Sequence, residues 1–127
     1  MTVTQNSIDH TDFVGRYLAE IGLGVGTISL RLATSGGPGA SSAVVVVISG
    51  EFSLTIDGHD YSGRAPAPEL AMAVSTLLNE SITEVTIDER SRARFTFGPN
   101  RFIEIHPDPS GFESATINIP GKNTFVI

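Results

Sequence analysis

At 127 residues with no cysteine and a formal charge of −6, the chain is sized for one domain that buries its own core, and disulfides and cysteine zinc sites are excluded. An acidic chain lacks the long-range attraction that supplies most non-specific nucleic-acid binding, while the same charge steers basic protein partners toward it. The polar start of the chain does not read as a signal peptide, and the apolar run Ala43 to Ile48 is far short of the roughly 20 residues that span a bilayer. The expectation is a soluble cytoplasmic protein with no membrane or nucleic-acid partner.

Residues 1–10 read as a disordered lead-in. Over 12–21 the spacing of Phe13, Val14, Tyr17, Leu18 and Ile21 fits a helix capped by Thr11 or Asp12. Gly15 interrupts it and Gly22, Gly24 and Gly26 follow, so the preferred reading is one helical turn at most, then a strand from about Tyr17 to Leu23. Thr27 to Ala33 alternates, with Ile28, Leu30 and Leu32 inward. Thr34 to Ser42 is a loop of Gly, Ser and Pro38. Ala43 to Ile48 suits a strand covered on both faces. Gly50 marks a bend before the alternating strand Glu51 to Ile56, and Asp57-Gly58 is a tight-turn signal.

The period then changes. Pro66 and Pro68 suit the start of a helix over about 67–79, with Glu69 in its first turn and Leu70, Ala73, Val74, Leu77 and Leu78 on one apolar face. Asn79 is its stop. Ser81–Asp88 and Arg92–Phe97 form another hairpin, and Gly98-Pro99-Asn100 turns the chain again. A three-residue turn there sets Phe95 opposite Ile103 and Ala93 opposite Ile105 on one face. The other face then sets Arg94 opposite Glu104 and Arg92 opposite His106, so one register satisfies both. Ala115–Ile119 and Thr124–Val126 complete the sheet, and the apolar C-terminus reads as docked.

One pattern appears twice. Leu18-Ala19-Glu20-Ile21-Gly22-Leu23 recurs as Ile82-Thr83-Glu84-Val85-Thr86-Ile87. Ile28-x-Leu30-x-Leu32 then recurs as Ala93-x-Phe95-x-Phe97, with one residue inserted in the second turn. The fold class this predicts is α+β, mostly a curved antiparallel β-sheet, in a single domain over 11–127. Two related hairpin units, 11–63 and 81–127, build the sheet, and the helix packs against it.

Chemistry is harder to find. His10 lies in the polar lead-in. His59 sits beside Asp57 and Asp60 after a tight turn, where such residues serve conformation and no second ligand cluster supports a metal. His106-Pro107-Asp108 ends a strand with no nucleophile elbow nearby. Glu84, Asp88 and Glu104 project by parity into solvent rather than into an apolar pocket. Neither Gly22-x-Gly24-x-Gly26 nor Gly36-Gly37-Pro38-Gly39 matches a nucleotide-binding loop. No catalytic residue, cofactor or metal site is therefore assigned. The basic residues concentrate at Arg90, Arg92, Arg94 and Arg101. Alternation places the first three on one face near Glu84, Glu89 and Glu104, where a structural ion-pair ladder is favoured over a ligand site. Arg90, Arg92, Arg94, Glu104 and His106 are the candidate interaction face.

The run Val14-Gly15-Arg16, the strand pair ending at Leu32, Glu51-Phe52-Ser53-Leu54, Phe95-Thr96-Phe97-Gly98, Ile103-x-Ile105-x-Pro107-Asp108 and Phe112-Glu113 together resemble a family of small uncharacterised actinobacterial β-rich proteins. The likeness covers roughly Phe13 to Ile119 and is densest in the second half. It implies duplicated β-hairpins with a sheet-covering helix and, for the immunity-type members, a toxin-like protein partner. The leading expectation is thus a non-enzymatic protein-binding module, an immunity-type inhibitor of a bacterial toxin. The alternatives are a small-molecule-binding or enzymatic domain using the concave face beneath the helix, or a homodimeric module joined by sheet edges.

Overall fold

Residues that alternate apolar and polar form strands with one dry face, and this chain alternates over most of its length. The computed structural model describes residues 9–34, 43–88, 92–122 and 124–127. Its first half holds β1 (Tyr17–Gly24), β2 (Thr27–Ala33), β3 (Val44–Ile48), β4 (Glu51–Ile56) and β5 (His59–Arg64). Helix α1 (Pro68–Val74) follows, continued by a 3-10 turn over Ser75–Leu77. The second half holds β6 (Glu84–Ile87), β7 (Ala93–Thr96), β8 (Arg101–Ile105), β9 (Ala115–Asn118) and β10 (Phe125–Val126).

The architecture is antiparallel β with one helix, as expected, and the strands divide between two sheets. Their orders are β1-β2-β3-β9-β10 and β5-β4-β8-β7-β6. Leu30, Val46 and Ile117 from the first sheet and Leu54, Phe95 and Ile103 from the second are all buried in one apolar core. Each such side chain contributes about 1.5–3 kcal/mol by leaving water.

The two sheet orders are the same order. β1, β2 and β3 form a meander in one sheet, and β4 and β5 then cross to the other. β6, β7 and β8 repeat the meander in that second sheet, and β9 and β10 cross back. Each sheet therefore takes three strands from one half of the chain and two from the other. Backbone hydrogen bonds come in matching pairs across this internal dyad. Leu18 N–H donates to Glu80 O at 3.0 Å, and Ile82 N–H to Arg16 O at 2.7 Å. Ser49 N–H donates to Ser114 O at 2.8 Å, and His106 N–H to Glu51 O at 3.1 Å. Tyr17 and Ser81, which are equivalent positions, pair with each other. The repeat also reaches further upstream than the sequence pattern, since Phe13 and Leu77 are both buried core residues.

Local details mostly follow the sequence. The Gly98-Pro99-Asn100 turn gives Phe95↔Ile103, Ala93↔Ile105 and Arg94↔Glu104, the register expected. Asp57 and Gly58 have φ of 50° and 90°, the left-handed pair that a two-residue hairpin needs. One helical turn, His10–Asp12, precedes β1.

Three expectations are corrected. Asp9 and His10, assigned to the lead-in, belong to the first turn, where the Asp9 carboxylate accepts from Thr11 N–H at 3.0 Å; residues 1–8 lie outside the described residues, as do 35–42 of the expected loop. The helical stretch spans 68–77 rather than 67–79. Its buried face is Leu70, Ala71, Val74 and Leu77, with Ala73 partly buried against the core as expected and Leu78 exposed. The helix tightens at Ser75, and Leu78 has already left it with φ −56° and ψ 133°. β5 is a strand that the sequence reading did not assign, and it has no alternating pattern to read, because nearly all of it is exposed at a sheet edge.

Candidate interaction site

The expected interaction face lies on the outside of the second sheet. The β7–β8 ladder sets Arg94 against Glu104, with Nε and Nη2 at 3.0 and 2.9 Å from Oε2. The guanidinium also stacks 3.9 Å from the centroid of Phe102. Glu104 Oε1 lies 3.9 Å from His106 Nδ1, and His106 Nε2 lies 3.1 Å from Ser53 Oγ. Arg94, Glu104 and His106 are thus brought together. Arg92 lies at the β6–β7 turn, where its backbone N–H donates to the Asp88 carboxylate at 2.9 Å, and it shares a cradle on this face with Arg94 and Glu104. Arg90 lies outside the described residues. The face holds an open cradle of about 530 Å³ among Glu84, Arg92, Asn100 and Phe102. Its central charge is neutralised by its own neighbour, in keeping with a structural ion pair.

Ser53 is the residue that sequence reasoning missed. It meets His106 because β4 pairs with β8, a contact between distant segments that no local motif announces. Nucleophile, base and carboxylate stand in order, yet the arrangement is not built for acyl transfer. Ser53 sits in the middle of a strand paired on both sides, so the surrounding backbone amides are committed to ladders rather than aimed at an oxyanion. Beyond His106, the Asp108 carboxyl is held below the usual carboxylate range, first by the Ser110 hydroxyl and then by the Ser110 amide.

Phe95, Phe97, Ile103, Ile105 and Leu77 are all buried in the common core, and an open pocket of about 550 Å³ lies between β5 and the start of α1, lined by Tyr61, Gly63, Ala67 and Leu70. Among the described residues no group of three His, Asp or Glu side chains is placed to hold a metal. Among the described residues no helix is long and apolar enough to cross a membrane.

A second surface lies elsewhere. Helix α1 runs beside β1 and leaves a groove of about 550 Å³ between them. Ile21 and Leu23 line one wall, and Ala71, Met72 and Leu78 the other. Leu23 is 56% exposed and Met72 74%. Along this wall β1 is an edge strand, paired with β2 alone among the described residues apart from the bridge at Tyr17.

Comparison with protein-family models, curated proteins and solved structures finds no match to this chain.

Proposed function

We propose that the chain is a non-enzymatic protein-binding module whose partner docks in the groove between β1 and α1. An immunity-type inhibitor of a toxin-like protein is the form that its acidic charge and its sequence resemblance favour. The observation that carries the reading is an open strand edge lying beside exposed apolar side chains. Edges and apolar patches both invite association, and proteins ordinarily blunt or cover them.

Leu23 has its counterpart in Ile87 on β6, and the described residues packed beside β6 are those of the three-residue turn His10–Asp12. Capture from native lysate tests the reading. Met72→Glu and Leu23→Glu should each abolish capture of a specific protein while leaving circular dichroism unchanged, and Arg94→Ala should retain it. Undiminished capture by both groove variants would overturn it.

A further inference from the structure

Resting on that reading, we infer that the groove receives an extended segment of a basic partner protein as an added antiparallel strand on β1, with apolar residues at alternate positions and a lysine or arginine between them. The edges differ in how open they are. β10 is two residues long and β6 four, while β5 is polar and carries Asp60 and Arg64. β1 has eight residues, the most of any edge strand, and lacks lysine and proline. A bulge between Leu18 and Glu20 interrupts the ladder with β2, and from the unbroken stretch beyond it, Glu20 to Gly24, Glu20, Ile21 and Leu23 line the groove.

An added strand draws affinity from main-chain hydrogen bonds and specificity from pockets for alternate side chains. β1 offers the first, because the edge it turns toward the groove has no strand beside it among the described residues. The apolar wall of Ala71, Met72 and Leu78 offers the second. Charge decides between occupants. Glu20, its side chain 69% exposed and its Oε1 3.9 Å from Arg31 Nη1, is the one charged residue lining the groove, and the chain carries −6 overall. Two copies, each at −6, repel at long range, whereas a basic segment gains from the global field.

The probe is a phage library of random peptides of about ten residues, selected on the immobilised full chain. Enriched sequences should alternate apolar side chains with at least one basic residue. A synthetic winner should shift the amide signals of 19–24, and N-methylation of alternate backbone amides should weaken it about tenfold or more with its side chains unchanged. No enrichment, helical winners, equal binding of the N-methylated peptide, or shifts confined to β7 and β8 would each overturn the inference. So would a solution dimer with β1 amides protected from exchange. If the inference fails while Met72→Glu and Leu23→Glu still abolish partner capture, groove docking stands without strand addition. If those variants leave capture intact, both fall.

Discussion

Gly15 and Asn79 occupy equivalent corners of the two halves and adopt the same left-handed backbone, with φ of 92° and 73°. Each donates its N–H to the carbonyl of a core residue of the opposite unit, Gly15 to Ile82 O at 2.9 Å and Asn79 to Leu18 O at 2.8 Å. These corners bring β1 and β6 into contact at the dyad. Asparagine is among the few residues besides glycine that visit this region routinely, which explains how the two copies diverged without losing the turn.

Backbone strain should therefore decide what each corner tolerates. A Cβ at Gly15 would meet nothing within 4 Å, so crowding adds nothing to the cost. Gly15→Val should destabilise by about 1–3 kcal/mol and Gly15→Asn by clearly less. Asn79→Gly should be neutral or mildly stabilising. Urea midpoints compared at constant slope measure all three; equal costs for valine and asparagine at position 15 would refute the strain argument.

The exchange of strands makes a second prediction. Residues 1–66 supply three strands of one sheet and two of the other, and 67–127 supply the rest. Each fragment alone leaves half of the core unmade, so neither should fold by itself. Mixed, they should form a one-to-one complex whose stability rises with concentration. Separate and mixed fragments compared by amide-proton dispersion and sedimentation test this. A fragment that folds alone would show that the halves are independent domains.

How much of this was readable depends on the range of the contact. The β7–β8 register was legible because two faces voted for it, Phe95 with Ile103 inside and Arg94 with Glu104 outside. The division into two sheets was not legible. Alternation in Glu51 to Ile56 says which residues face inward and is silent on which sheet they join. The same limit hid Ser53 from His106. It also hid the groove, which exists only because α1 comes to lie beside β1. β5 was invisible for a different reason: an edge strand exposed on both faces needs no hydrophobic period. The repeat was read from Leu18 onward, because Phe13/Leu77 and Gly15/Asn79 share burial and backbone conformation rather than residue type.

Where the crossings meet, Ser114 is fully buried and its hydroxyl oxygen has no partner among the described residues. Losing that hydroxyl should cost nothing, and Ser114→Ala should be neutral or stabilising by up to about 1 kcal/mol. Gly50 opposes it closely. A Cβ there would lie 3.2 Å from Ser114 Cα, so Gly50→Ala should destabilise by about 1–3 kcal/mol. Thermal melts of both variants check the pair, and a clear loss of stability in Ser114→Ala would mean that its hydroxyl is satisfied.

The Arg94–Glu104 pair should be structural and modest. Arg94 is 44% exposed at its side chain and Glu104 14%, so a double-mutant cycle to alanine should give a coupling of about 0.5–1 kcal/mol that shrinks in high salt. Arg94→Lys should recover only part of it, since lysine loses both the forked contact and the flat stack on Phe102. A coupling near zero would instead leave Arg94 available to a ligand in the cradle.

Acid should act through the loop between β8 and β9. The Asp108 carboxylate accepts from the Ser110 hydroxyl at 2.5 Å and from the Ser110 amide at 2.8 Å, with Arg64 at 3.9 Å. These contacts favour the ionised form and hold the carboxyl below its ordinary value of 3.8 in the folded protein. The folded state therefore binds this proton less readily than the unfolded state, and stability rises with pH across the interval between the two values. The contribution is present above the ordinary carboxylate value and is lost as pH falls through the lowered one. Asp108→Asn should remove that part of the acid slope and leave the remainder, including the share from Asp9, whose carboxyl is lowered first by the Thr11 amide. Urea midpoints measured from about pH 2 to pH 6 should converge for the two proteins at the acid end and separate above it. Parallel curves across the whole range would show that Asp108 is not among the groups that set the acid response.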